Sequence, residues 1–284
     1  MRITSVVRND PMHVKFVIED GSTSYVNALR RIIISDILTP AIHRVDIQCN
    51  ETDFVPEALA HQIGMVGVRV PESVEKAEFV LDLHNKSSCV QKIYARDLVA
   101  KNTDVKIVHP DTLLGYIAPG QRLRLVAHTQ WGTVRQHAKW TCCHCTFSYV
   151  PKVSVHQSRS LSSADVHDAR RMCPNDVFDI EDGALIAARP EQCSFCGECT
   201  SLPYVKEGVD VLVDTQPGVF LFEVESYGTF TASQILQKAT QILDQRLAAV
   251  AQRVDRDLPK LPQTPPTSPA EGLHSVLRTQ GMSQ

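Results

Sequence analysis

Hydrophobic and polar residues alternate along this chain with two different periods. Near the start, Val14, Phe16 and Ile18 alternate with polar or smaller neighbours, which predicts a strand, and Asp20-Gly21-Ser22 marks a turn after it. From Ser24 to Leu38 the period becomes helical. Tyr25, Leu29, Ile32 and Ile33 share one face, Ser24, Asn27, Arg31 and Ser35 line the opposite stripe, and Ile34 and Ile37 widen the apolar side. Pro40 stops the helix. The middle, from about Ile42 to Val155, is rich in strand-like runs at residues 74–84, 105–109 and 122–128. It also holds one short helix within Pro56 to Gly64, with proline at its start and glycine past its end.

Residues 161–210 show poor periodicity. Strand alternation returns from Val219 to Glu225, with Phe220, Phe222 and Val224 on one face. A long helix follows from Thr231 to about Val254, opened by Thr231 and Gln234 at capping-box spacing. Its apolar stripe contains Ile235, Leu236, Ala239, Ile242, Leu243, Leu247, Val250 and Val254, with Arg246 as the one charge inside it. Such a helix is about 36 Å long. Exposed on a monomer, the stripe would be a sticky patch, so it covers either the domain's own sheet or another protein. Residues 255–284, rich in proline, serine and threonine, cannot bury enough surface to offset chain entropy and are expected to be disordered.

The chain has 284 residues, 43% hydrophobic and 21% charged, with a formal net charge of −3. That balance lacks the basic excess of a free-standing nucleic-acid binder, so any work on DNA is expected to go through partners. No apolar run approaches the roughly 20 residues that span a bilayer. The first residues lack a charged stretch followed by an apolar block. An intracellular protein with no membrane role is expected.

Nine cysteines, an odd number, argue against a disulfide framework in such a protein. Cys193-x-x-Cys196-x-x-Cys199 presents three thiolates from one loop that Gly197 helps to curl, and Cys173 is followed by Pro174. Three close thiolates plus a distant Cys-Pro is how bacterial-type ferredoxins hold an iron–sulfur cluster. A second cluster lacks ligands, because Ser163, Val166, Ala169 and Pro203 stand where cysteines would be needed. One cluster, 4Fe-4S or 3Fe-4S, is therefore the expectation. Zinc is the alternative, although its sites usually come as two close pairs. Cys142, Cys143 and Cys145 read as buried residues of a strand. His109, His128 and His137 read as ordinary core or surface histidines. No phosphate loop, nucleophile elbow or paired-carboxylate signature is present, and no acidic triplet suits a site of carboxylate-bound metal ions. No catalytic residue is assigned.

Four stretches in order resemble one family. VNALRRIIISDI, PEALAHQIGMVGV, Gly132 with HAKW (His137 to Trp140), and FEVESYGTFTASQILQKATQIL are similar to segments of the D-type assembly subunit of archaeal RNA polymerase, its third-largest-subunit counterparts in eukaryotic polymerases and, more distantly, the bacterial alpha subunit. The resemblance covers nearly everything up to about Val254. The cysteine insert resembles the ferredoxin-like domain of many archaeal D-type subunits. The zinc loop of the polymerase II type is not matched, since LHNKSSCVQKIYARDL offers only Cys89.

The resemblance implies an α+β fold. A split dimerisation domain, sheet plus two helices, would take residues 1–40 and 215–254. An inserted, mixed β-rich domain would take 41–160, and a small ferredoxin-like domain 161–214. It also implies a non-catalytic assembly subunit of DNA-directed RNA polymerase. Such a subunit pairs with a small L-type (eleventh-subunit type) partner and then docks the large catalytic subunits. Leu29, Ile33, Ile37, Ile235, Ile242 and Leu243 are the expected pairing residues, with Arg30 and Arg31 as contacts to a large subunit. An iron–sulfur electron-transfer protein is the alternative. The location is the nucleus if the source is eukaryotic, which the Ser/Pro-rich tail slightly favours, and the cytoplasm if it is archaeal.

Overall fold

The computed structural model describes residues 2–157, 170–182, 184–200 and 209–257. Strands β1 (Arg2–Asn9) and β2 (His13–Glu19) and helix α1 (Thr23–Ser35) open the chain. The middle runs through β3 (Thr39–Asn50), α2 (Pro56–Gly64), β4 (Val68–Arg69), β5 (Glu78–His84), β6 (Gln91–Tyr94), β7 (Val99–Ala100), β8 (Lys106–Ile107), β9 (Leu113–Ile117) and β10 (Arg122–Gly132). Then come β11 (Cys143–Gln157), the hairpin β12 (Phe178–Glu181) and β13 (Ala184–Ala187), the long β14 (Val209–Ser226), and helix α3 (Ala232–Asp257). The fold is α+β, as expected. None of the described helices is long and apolar enough to cross a membrane. The tail expected to be disordered lies, from residue 258 on, outside the described residues.

The two ends of the chain meet in one antiparallel sheet of order β1-β2-β14-β11. Register follows side-chain pattern: Ile18 lies opposite Phe220, Phe16 opposite Phe222, and Val14 opposite Val224, and all six are buried. The Phe16 and Phe222 rings sit 5.5 Å apart. The other face carries Lys15 opposite Glu223, an ion pair at 3.1 Å. A slip of one residue would turn the phenylalanines to water, so burial holds the register. Helix α1 packs against β11, where Cys143 Sγ lies 3.9 Å from the Ile33 carbonyl. Ser22 caps α1 by accepting from the Tyr25 N–H at 3.2 Å. The helix ends at Ser35, before Leu38, and the Asp36 N–H closes its last turn on the Ile32 carbonyl. Pro40 already belongs to β3.

The inserted region builds a second sheet, β3-β10-β5-β7, with α2 packed on β3. Its core gathers Ile42, Leu59, Ile63, Phe79, Leu81 and Leu125. β10 ends at Gly132, where a Cβ would lie 2.4 Å from Trp140 Cε2. The bare glycine lets the indole fold back and donate to the Gln130 carbonyl at 3.1 Å. The Arg69 guanidinium reaches the Gly228 carbonyl at 2.6 Å, tying this region to the corner between β14 and α3.

Residues 143–157 and 209–214, expected in the inserted and cysteine-bearing regions, form one continuous ladder of β11 with β14. The upper half is part of the first sheet. A register shift between Tyr149 and Pro151, beside Gly218 at φ +73°, then bends the pair. The lower half continues as a floor on which the β12–β13 hairpin packs, with Val177, Phe178 and Leu185 against Val153, Val155, Val211 and Val213.

Phe222 lies fully buried on the central strand of the first sheet, so truncating it leaves a cavity the neighbouring rings cannot close. Phe222→Ala is expected to lower unfolding stability by about 3–5 kcal/mol, read as a fall in the urea midpoint.

Candidate functional site

Helix α3 starts as its sequence predicts. The Thr231 hydroxyl accepts from the Gln234 N–H at 3.2 Å, and the Gln234 amide oxygen accepts from the Thr231 N–H at 2.9 Å. Along the stripe, burial changes. Ala232, Ile235 and Ala239 are buried, Ile242 and Leu243 are half-buried, and Leu247, Val250 and Val254 are 58%, 58% and 45% exposed. Of the expected pairing residues, Leu29, Ile33, Ile37 and Ile235 are buried within this chain alone. They hold the domain together and offer a partner almost no surface. Ile242 and Leu243 offer part of theirs. Leu38, beside the end of α1, is exposed as well. Arg30 is half-buried and donates twice to the Asn27 side-chain oxygen, at 3.2 and 2.9 Å, whereas Arg31 is exposed.

Leu247, Val250 and Val254 were in the stripe but not among the expected pairing residues. Nothing in the spacing of the stripe separates them from its buried part.

The cysteine loop is built by turns. Cys193 follows a short 3₁₀ turn, Pro190–Gln192, and Cys199 lies inside another, Glu198–Thr200. Between them Phe195 takes φ +58° and Gly197 φ +78°, two left-handed residues that curl the loop. Asn175 Nδ2 donates to Ser194 Oγ at 2.7 Å, holding the segment after Cys173 to the loop. Cys173, Cys193, Cys196 and Cys199 line one concavity, walled by Val153, Val177, Phe178 and Val213. Cys199 is buried, Cys173 and Cys193 are half-buried, and Cys196 is exposed. Burial raises the Cys199 thiol above its usual range, and the neighbouring Cys193, Cys196 and Cys173 raise it further. Four thiolates here repel one another and favour a cation among them. The Phe195 N–H points at Cys193 Sγ, 3.5 Å away. An all-sulfur donor set with an amide aimed at sulfur suits an iron–sulfur cluster. Among the described residues, no three of His, Cys, Asp and Glu are gathered as a single metal ion requires.

Three more cysteines lie at the start of β11 or just before it. Cys142, Cys143 and Cys145 are buried, and burial pushes the Cys145 thiol up to about 12, which leaves it protonated and inert. His128 pairs with Asp46 at 3.1 Å, His109 with the Tyr227 carbonyl at 3.2 Å, and His137 accepts from the Lys139 N–H at 3.1 Å.

The sheet that joins the chain's two ends, with helices α1 and α3, matches a known domain. The family model described as the RNA polymerase Rpb3/Rpb11 dimerisation domain matches residues 15–247. The chain belongs to this family. Among relatives of this Rpb3/Rpb11-type chain is the DNA-directed RNA polymerase subunit Rpo3 of Pyrobaculum aerophilum. It is 29% identical over 270 residues, which cover 90% of this chain and 97% of the relative. Rpo3 of Methanosphaera stadtmanae is 26% identical, over 84% of this chain and 93% of its own. The DNA-directed RNA polymerases I and III subunit rpac1 of Dictyostelium discoideum is 29% identical, over 81% and 75%. These are polymerase subunits matched along most of the chain, which leaves the electron-transfer alternative without support.

The burial contrast within the two helices of this Rpb3/Rpb11-type fold is open to measurement. Leu29→Asp puts a carboxylate into the core and is expected to cost more than about 4 kcal/mol, enough to unfold the chain. Leu247→Asp is expected to shift stability by no more than about 0.5 kcal/mol in the isolated chain, as chemical denaturation of the two variants would show.

Proposed function

We propose that this chain is a non-catalytic assembly subunit of a DNA-directed RNA polymerase, pairing with a smaller L-type partner before the large catalytic subunits dock. The observation that carries the reading is the match over residues 15–247, which takes in both halves of the split sheet-and-helix domain. The exposed side chains Leu247, Val250 and Val254 are the surface on which a small partner gains most. Fully burying each is worth about 1.5–3 kcal/mol before association costs. With a net charge of −3, the chain meets DNA only through the complex. It works inside the cell, in the nucleus of a eukaryote or the cytoplasm of an archaeon.

The cysteine loop takes one iron–sulfur cluster, 4Fe-4S or 3Fe-4S, held by Cys173, Cys193, Cys196 and Cys199, with zinc as the alternative occupant. Convergence of the four thiols on one concavity supports this. When bound, such a cluster would offset part of the charge of the four thiolates and would cross-link its ligands. The chain's own part is to present them: Phe195 and Gly197 curl the triplet, and Asn175 draws the Cys173 segment to it. Ligation of this kind couples to folding, so the cluster's main effect is to fix the small domain.

Two measurements test this. The double variant Leu243→Asp/Leu247→Asp, co-expressed with the L-type partner, is expected to pair at least a hundredfold more weakly, and unchanged co-purification would refute the pairing surface. After anaerobic purification, the wild-type chain is expected to carry iron and acid-labile sulfide, and Cys196→Ser to lose most of both. Stoichiometric zinc without sulfide would instead establish the alternative.

A further inference from the structure

Among the described residues, two of the three half-buried lysines have a carboxylate. Lys15 pairs with Glu223 and Lys238 with Glu72, and the more exposed Lys101 pairs with Glu78. Lys139 has none among the described residues. It lies in the short turn after β10 and is half-buried. Its ammonium donates to the Ile42 carbonyl at 2.9 Å and to His43 Nδ1 at 2.9 Å, and sits 4.7 Å from the Trp140 ring centroid. An ammonium has three donors and can only donate, so His43 accepts, its ring is neutral, and one N–H of Lys139 remains. Burial lowers the Lys139 amine below its usual value. Burial also lowers His43, as do the charges of Lys139 and His137.

Imidazoles, and no carboxylates, surround it. Lys139 and Met65 lie where two adjoining concavities meet. His43, His61 and His137 line one, His109 and Tyr227 line the other, and neither is lined by an aspartate or glutamate. Met65 and Tyr227 are 51% and 45% exposed, so apolar surface lies beside the charge. A partly desolvated cation with a spare donor and no counter-ion is a costly arrangement to leave unpaired.

We propose that this groove docks an acidic segment of another polymerase protein, one carboxylate pairing with Lys139 while a neighbouring apolar side chain covers Met65 and Tyr227. The proposal rests on the assembly reading above. A nucleic acid fits less well, because such interfaces draw their affinity from several phosphate contacts, and this groove holds one permanent cation on a chain of net charge −3.

The test uses the polymerase assembled around the full-length chain. A water-soluble carbodiimide joins an amine only to a carboxylate in direct contact, and peptide mass spectrometry locates the join. The expected product links Lys139 to an aspartate or glutamate of another subunit. Lys139→Met should remove that link and weaken docking of the large subunits about tenfold or more. His61→Glu, which adds a like charge to the groove wall while leaving the Lys139 hydrogen bonds alone, should weaken docking to a similar degree. Pairing with the small L-type partner should be unchanged in both. Lys139 joined only to this chain's own carboxylates, or shielded only until nuclease treatment, overturns the proposal. So does wild-type assembly by both variants. If the wild-type chain enters no polymerase complex at all, the assembly reading itself fails, a different and separable result.

Discussion

The ladder between β11 and β14 is the constraint on which the rest of the structure depends. Its upper half sets Phe220, Phe222 and Val224 into the core of the sheet that joins the chain's two ends. Its lower half supplies the valines under the β12–β13 hairpin and the cysteine loop. Side chains alternate along a strand, so one register must satisfy two apolar faces at once, and the bulge near Pro151 and Gly218 lets the faces differ in direction. The small cysteine-bearing region is therefore built on the same two strands as the pairing domain.

Much of this was legible in the amino-acid sequence, and the reasons differ by element. The strand pairs around Phe16 and Phe222 follow from period-two alternation, and α3 from a stripe opened by a capping box that the Thr231 and Gln234 hydrogen bonds realise. The α2 boundaries follow from proline and glycine at its ends. The start of β14 was missed, although Val209, Val211 and Val213 alternate with Asp210, Leu212 and Asp214, and the strand runs on through Pro217 and Gly218 with only a bulge. The four cysteines were grouped from their spacing alone, and all four line one concavity. The division of helix faces between core and surface was not legible. Leu29 and Leu247 look alike in a stripe, and only the packed structure shows one buried and the other exposed. The Lys139 cluster was out of reach for a related reason, since His43, His61 and Lys139 come from three elements that sequence distance keeps apart.

The outward chemistry of the chain divides into two kinds. On α3 the exposed stripe residues Leu247, Val250 and Val254 are aliphatic and uncharged, suited to a dry contact with another helix. Around Lys139 they are imidazoles and one ammonium, suited to a charged segment. A protein that must collect several others in order benefits from such a difference. An apolar surface favours a permanent pair, and a charged groove adds selectivity for the next arrival.

Pairing with a small Rpb11-type protein is the property on which the proposed function rests. Sedimentation equilibrium of the full-length chain, alone and mixed with its L-type partner, measures that property most directly. A mixture sedimenting as a one-to-one complex, at concentrations where neither protein alone forms a species of that mass, is the predicted result. Two independent species at every concentration would contradict it.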